Sequence, residues 1–272
     1  LKITKKLSNG YHNIASMITF CNLYDIITIR KTKKKKNSIN FYGKFKNGIN
    51  NKENTITKTL DILRKNNLIK KNNFKIRIKK NIPHGSGLGG GSSNAAYLLN
   101  YLNLSMKLKL GKNRLNKIAR KIGFDVPIIL EKKNTFLPGK NNKILRIKKK
   151  FNLNILIVYP NLRCSTKLMY KKNKKISFLK SKFNFYNMNK NKIMHVLMNE
   201  NNDLQNIAIK IYPKIGSTIR LIEAQKGCYF SRITGSGSAC IGVFSSMKYA
   251  IIAKRFVKRK YPKFWCVTSK TI

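Results

Sequence analysis

Thirteen consecutive residues, Pro83-His84-Gly85-Ser86-Gly87-Leu88-Gly89-Gly90-Gly91-Ser92-Ser93-Asn94-Ala95, hold the residue types best suited to gripping an anion. Five glycines let the backbone approach a ligand that a Cβ would keep away, and the two serines that follow them add hydroxyls. The stretch follows the alternating run Phe74 to Lys80 and leads into Ala95-Ala96-Tyr97-Leu98-Leu99, which predicts a strand, a turn and a helix. A helix starting there aims its free N–H groups and dipole at whatever the turn holds, and a phosphate fits that description. Three owners of such a loop fail on their other requirements. A dinucleotide site, suggested by Gly85-x-Gly87-x-x-Gly90, wants an acid about 20 residues on for the ribose, whereas the next carboxylate is Asp125. A Walker loop needs a lysine before its hydroxyl residue, and Gly91 runs directly into Ser92-Ser93. A protein kinase needs HRD and DFG segments, and the chain has neither. A plain strand-to-helix corner accounts for one or two glycines, not for five followed by two serines.

Carboxylates are scarce, and that narrows the acid–base chemistry. The chain has eight: Asp25, Glu53, Asp61, Asp125, Glu131, Glu200, Asp203 and Glu223. Among these, Asp125 stands between Gly123 and Pro127 at the expected start of a helix, where it serves either as an N-cap or as a general base. Three histidines, His12, His84 and His195, and five scattered cysteines offer no zinc spacing. His84 and His195 read as surface or hydrogen-bonded residues, and the odd set of cysteines as reduced thiols of a cytoplasmic protein.

With 272 residues, 42% hydrophobic, the chain can bury a substantial core, and it contains no apolar run long enough to span a membrane. The net charge of +51 is extreme. Lysine, asparagine and isoleucine crowd every segment, so the excess reads as compositional drift and not as a nucleic-acid stripe, although such a coat attracts RNA weakly at low salt. A basic RNA-binding module without catalysis is the alternative from another functional class.

The elements that must position these groups follow from periodicity. Strands are expected at Ile14–Phe20, Asp25–Ile29, Phe74–Lys80, Asn134–Leu137, Ile144–Ile147, Leu153–Tyr159, Tyr229–Ile233, Ala239–Phe244 and Phe264–Thr268. Helices are expected at Asn51–Lys65, from the glycine loop to Leu104, at Lys112–Ile122, from Pro127, and through Tyr170. Four more are expected at Lys190–Asn199, Asp203–Ile211, Pro213–Gln225 and Met247–Lys260. Ser8-Asn9-Gly10 reads as a turn, Lys31 to Asn37 as a solvated loop, and Gly235-Ser236-Gly237-Ser238 as a second glycine turn. The pattern changes near Pro160, which divides the chain into domains 1–155 and 156–272. The closing helix-strand-strand-helix-strand order fits a helix-backed antiparallel sheet.

Three blocks together resemble the GHMP kinase superfamily: Asn9-Gly10-Tyr11-His12-Asn13-Ile14, Ile82 through Ala96, and Ser231 through Cys240. Gly123-x-Asp125-Val126-Pro127 and Asn202-Asp203-Leu204 match as well. Gly-Tyr-His narrows the resemblance to the branch that phosphorylates a cytidine-diphosphate-linked methylerythritol in non-mevalonate isoprenoid precursor synthesis, and argues against mevalonate, homoserine or galactose as substrate. The resemblance implies an α+β fold of two domains, the first like ribosomal protein S5 and the second ferredoxin-like. It implies ATP and Mg²⁺, with Pro83, Gly85, Gly87, Leu88, Gly89, Gly90, Gly91, Ser92 and Ser93 around the nucleotide, Asn54 and Lys80 beside it, and Ser93 near the metal. Asp125 becomes the base, Tyr11 and Tyr170 sandwich the cytosine, and His12 bonds its edge. Thr166, Gly235 and Ser236 hold the acceptor. Many relatives have Phe where Tyr170 stands, a swap that keeps a stacking face. A monomer or homodimer without membrane or specific nucleic-acid partners is expected. In the family a lysine of a Pro-Ala-Lys-x-Asn segment, which would fall before Leu1, pairs with the catalytic aspartate. Losing such a partner costs about 3–4 kcal/mol, so a chain starting at Leu1 is expected to bind ATP better than it turns it over.

Overall fold

The structure, a computed structural model, describes residues 1–8, 10–140, 143–178 and 190–272. Asn9, the middle of the expected turn and the first residue of one motif block, lies outside them. The chain forms two compact units. One comprises residues 23–84 and 89–132, and the other residues 1–22, 85–88 and 133–272. This packing divides the chain differently from the sequence boundary at 155/156, because both ends of the chain contribute strands to the larger unit.

The smaller unit has a three-stranded sheet. β5 (Asn73–Lys79) lies at its centre, with β3 (Ile26–Thr32) antiparallel on one side and β4 (Ser38–Tyr42) parallel on the other. β5 alternates cleanly: Phe74, Ile76 and Ile78 are buried, while Lys75, Arg77 and Lys79 face solvent. α1 (Thr55–Lys65) begins in a capping box, in which Asn54 accepts the N–H groups of Ile56 and Thr57 and Thr57 returns a bond to the Asn54 backbone. Its Ile56, Leu60 and Leu63 pack inward toward α2 (Gly90–Ser105), whose Ala95, Leu98, Leu99 and Leu102 are buried. α3 (Lys112–Ile122) and the single turn α4 (Val126–Ile129) complete the unit. The expected loop 31–37 is partly strand, since β3 runs on to Thr32, and only Lys33 to Lys36 form the exposed bend before β4.

The larger unit holds two four-stranded antiparallel sheets. The first, ordered β1-β2-β6-β7, comprises β1 (Lys2–Lys6), β2 (His12–Ile18), β6 (Thr135–Pro138) and β7 (Leu145–Arg146). The second, ordered β11-β8-β10-β9, comprises β8 (Asn154–Tyr159), β9 (Cys228–Ile233), β10 (Cys240–Phe244) and β11 (Trp265–Lys270). β8, inside that sheet, is buried along its whole length. α8 (Pro213–Glu223) and α9 (Met247–Lys260) back the sheet through Ile215, Ile219, Ile222, Ala250, Ala253 and Val257, the helix-backed antiparallel arrangement expected from element order. α5 (Thr166–Lys172), α6 (Lys190–Asn199) and α7 (Gln205–Ile211) belong to the same unit. All five cysteines are free, and no helix among the described residues is long and apolar enough to cross a membrane.

Candidate active site

The glycine loop is shared between the units: residues 85–88 pack in the larger and Gly89 onward in the smaller. Gly89 is the N-cap of α2 in the left-handed region, with φ +69°, and a Cβ there would find nothing within 4 Å. A glycine cap brings no side chain to the helix end. The N–H groups of Gly90, Gly91 and Ser92 are therefore left without a partner among the described residues, as the first turn of any helix leaves them. Together with the dipole of a 16-residue helix they present the donors that an anion cradle requires. Ser93 N–H is already bonded to the Gly89 carbonyl at 2.9 Å.

The other residues expected around the nucleotide are engaged in different ways. Asn54 spends its amide on the α1 cap, with its Nδ2 donating to the carbonyls of Asn50 and Asn51. Lys80 is buried and ion-paired with Asp25. Its ammonium nitrogen lies 3.5 Å from where a Cβ of Gly90 would stand, directly against the cradle's first residue. Pro83 is buried ahead of the turn.

Asp125 precedes α4 with helical backbone angles (φ −80°, ψ −18°), and its side chain makes no capping bond. The capping role open to it in the sequence is thus not taken up, and its carboxylate has no partner among the described residues. The residue is open to solvent, yet enough protein surrounds it that desolvation raises its carboxyl above the ordinary carboxylate value. Water on its open side preserves part of the hydration and limits that rise.

In the larger unit the second glycine turn packs against the first. A Cβ on Gly87 would come within 2.4 Å of the Thr234 carbonyl oxygen, and one on Gly235 within 3.0 Å of the Gly87 oxygen. Ala239 N–H donates to the Ser86 carbonyl at 2.9 Å. Asn202, buried, donates to the carbonyls of Ile233 and Gly235 and accepts from Leu204 N–H. Thr166 and Ser236 share a hydroxyl–hydroxyl bond of 2.9 Å. One helical turn beyond Thr166 on α5, the Tyr170 ring meets His12, with centroids 5.2 Å apart at 35°. The pKa of His12 is lowered from 6.5 by burial and, secondarily, by Lys6, so its ring is neutral at pH 7 and offers one donor and one acceptor. Tyr11 is 52% exposed. The six residues expected to hold the acceptor molecule thus lie in one unit, four of them linked in pairs by direct contact.

Asp203 accepts from the Ile3 backbone at 2.7 Å and from the Ser177 hydroxyl, and lies 3.6 Å from the buried Lys2 ammonium, which also meets Glu200 at 3.3 Å. Sequence reasoning gave no role to Asp25, Asn94, Asn202 or Ser86. Asp25 stood on the short list of acids, and the Asn202-Asp203-Leu204 match was the one signal for Asn202. A cavity of about 220 Å³ beside α6, lined by residues such as Asn154, His195 and Phe244, contains none of the expected site residues. His195 is exposed and bonded to Asn199, as expected.

Residues 54–133 match the GHMP kinases N terminal domain and residues 187–263 the GHMP kinases C terminal domain. A protein of Pelagibacter ubique (strain HTCC1062) named 4-diphosphocytidyl-2-C-methyl-D-erythritol kinase is 39% identical over the whole chain and 95% of its own length. The chain belongs to this family of GHMP kinases. A relative of the same name from Wolbachia sp. subsp. Drosophila simulans (strain wRi) is 31% identical over the whole chain and 94% of its own. Among solved structures, a 4-(cytidine 5'-diphospho)-2C-methyl-D-erythritol kinase superposes with a TM-score of 0.73 at 21% identity, covering 99% of this chain and 94% of the other. A homoserine kinase from Cytophaga hutchinsonii reaches 0.71 at 15%, covering 91% and 85%. At such identities the likeness is one of fold, and the branch within the superfamily rests on the full-length relatives. The two-domain α+β fold expected from the motif blocks is the family's fold.

Proposed function

We propose that the protein transfers the γ-phosphoryl group of ATP to the 2-hydroxyl of 4-diphosphocytidyl-2-C-methyl-D-erythritol, in the cytoplasm and without a nucleic-acid or membrane partner. The observation that carries this reading is the 39% identity to a kinase of that name along the entire chain. The geometry of both units supports it.

Phosphoryl transfer asks little covalent work of the protein and much positioning and charge neutralisation. The free amides of Gly90, Gly91 and Ser92 hold phosphate oxygens, and Gly85, Gly87 and Leu88 shape the turn that leads to them. For Mg²⁺ the described residues contain no cluster of three His, Cys, Asp or Glu. The Ser93 hydroxyl, with phosphate oxygens and water, suits an ion that commonly takes only one or two protein ligands at such sites. Bound there, it supplies countercharge for the transferred group. Asp125, carrying no other bond, accepts the proton of the substrate hydroxyl. Tyr11 and Tyr170 stack on the cytosine, neutral His12 pairs with its edge, and Thr166, Ser236 and Gly235 orient the acceptor.

A coupled ADP-release assay tests the reading. Turnover with the cytidine-diphospho alcohol and none with homoserine or mevalonate is expected. Turnover of another alcohol with silence on this one overturns it.

A further inference from the structure

Asp25 precedes β3, and its carboxylate has no solvent-exposed surface. Each of its oxygens takes two donors. Oδ1 accepts the backbone N–H of Asn81 at 2.8 Å and of Ile82 at 2.9 Å, while Oδ2 accepts the Lys80 ammonium and the Asn94 amide, the latter at 2.9 Å. An ionised carboxylate has about four acceptor sites, so Asp25 is saturated. Its donors come from both sides of the glycine turn, residues 80–82 before it and Asn94 in the second turn of α2. These donors lie within the same unit that carries the helix end of the cradle, and the Lys80 and Ile82 side chains occupy the space that a Cβ on Gly90 would enter, 3.5 and 3.1 Å from it.

A buried ion pair is weak evidence for stability, because desolvation offsets much of the attraction. Its placement argues for another use. The positive end of the pair lies 3.5 Å from where a Cβ on the first residue of α2 would stand, beside three free N–H groups open to an incoming anion. Asp25 fixes the Lys80 ammonium there, and the same oxygens lock the backbone leading into the turn.

We propose that Asp25 is a positioning residue of the nucleotide cradle: it holds Lys80, the Asn81–Ile82 backbone and Asn94 in one register, so that the amides of Gly90 to Ser92 meet phosphate without rearranging. This rests on the kinase reading, in which the anion is ATP. A purely structural Asp25 makes a different prediction, since losing it then lowers stability and leaves ATP affinity intact in the folded protein.

The test compares wild type with Asp25→Asn, the swap Asp25→Asn/Asn94→Asp, and the charge-free pair Asp25→Asn/Lys80→Met. It measures melting with and without ATP and KM for each substrate. Losing charge-assisted bonds of this kind is worth about tenfold in KM for ATP, and the KM for the alcohol should stay within about twofold. The swap returns a carboxylate to the other side of the same contact and should recover most of the ATP affinity. Should Asp25→Asn fail to fold around a lone buried ammonium, the charge-free pair, which leaves no charge unmatched, is expected to fold and to keep the raised KM for ATP. Wild-type KM for ATP in folded Asp25→Asn or in the charge-free pair overturns the inference, as does an equal rise in both KM values. A wild type that ATP does not stabilise overturns the kinase reading and this inference together. A wild type and a charge-free pair stabilised equally by ATP overturn this inference alone.

Discussion

The two glycine turns use the same residue for opposite ends. At Gly235 and its neighbours the side chains and part of the backbone are occupied: Asn202 bonds two carbonyls of the strand end and turn, Ser238 donates to the Leu162 carbonyl, Ser236 meets Thr166, and the N–H groups of Thr234, Gly237 and Ala239 have carbonyl partners. Gly87 is glycine because backbone oxygens of the second turn leave no room for a Cβ. At Gly89 there is room, and glycine instead keeps a helix end uncapped, so that N–H groups face outward with nothing attached. Asp125 shares that unoccupied character. Closed polar groups hold structure, and open ones are where a ligand substitutes for the missing partners. Substitutions at the open groups should therefore cost activity with little loss of stability, and those at closed contacts such as Gly87 and Asn202 should cost stability first.

The largest effect belongs to the open region. Asp125→Asn should lower kcat by about 10²- to 10⁴-fold, the range for loss of a general base, as read by ADP release. Its melting temperature should not fall. Because desolvation raises the Asp125 carboxyl, the ionised form is disfavoured in the folded state; the stability associated with this group is complete below the ordinary carboxylate pKa of 3.8 and is lost as pH rises through the higher folded value. At neutral pH the amide is thus expected to melt at or slightly above wild type. For the same reason the acid limb of the kcat–pH profile should lie above the ordinary carboxylate range. A large loss of melting temperature in Asp125→Asn would place this residue with the closed groups and break the contrast.

Next come two closed positions. Gly87→Ala forces a Cβ into the Thr234 carbonyl, 2.4 Å away, at a φ of +78°. The strain and displacement should cost about 3 kcal/mol, or roughly 6–12 °C in calorimetry. Asn202→Ala leaves a buried carbonyl, a part-buried carbonyl and the Leu204 N–H without their partner and should cost about 2 kcal/mol. In Asn202→Ala, which leaves the first glycine turn untouched, the folded fraction should keep its KM for ATP.

Much of this was legible in the sequence, and the reasons for the remainder are physical. Periodicity located β5, whose three buried residues alternate with three cations, and α9, whose Ala250, Ala253 and Val257 recur on one face. β4 went unrecognised because five residues after a lysine run give too short an alternation, and its parallel pairing with β5 leaves no hairpin signature. The turn from β5 into α2 was legible from the glycines, but with one motive assigned to all of them. Gly87 owes its identity to a turn some 150 residues later, information that no local pattern contains. Asp25 was hidden for the same reason, because its partners Lys80 and Asn94 lie 55 and 69 residues away. Asp125 was readable as a choice between cap and base, and the missing capping bond leaves the first of these roles unfilled.

The smallest expected effect is also the sharpest test of the contrast. Gly89→Ala places a methyl group where no protein atom stands within 4 Å, so the only structural cost is holding alanine at φ +69°, about 1 kcal/mol. Were this turn a mere corner between β5 and α2, that small loss in melting temperature would be the entire effect. If the cradle holds phosphate, the methyl projects into the space the anion must enter, beside the N–H groups of Gly90 and Gly91. KM for ATP should then rise several-fold while KM for the alcohol stays fixed. Gly235→Ala is the control: its φ of +55° carries a similar backbone penalty, but its Cβ meets the Gly87 oxygen at 3.0 Å. It should melt lower than Gly89→Ala and bind ATP as wild type does. Reversal of that order, with Gly235→Ala losing ATP affinity and Gly89→Ala retaining it, would mean that the crowded turn and not the open one meets the nucleotide.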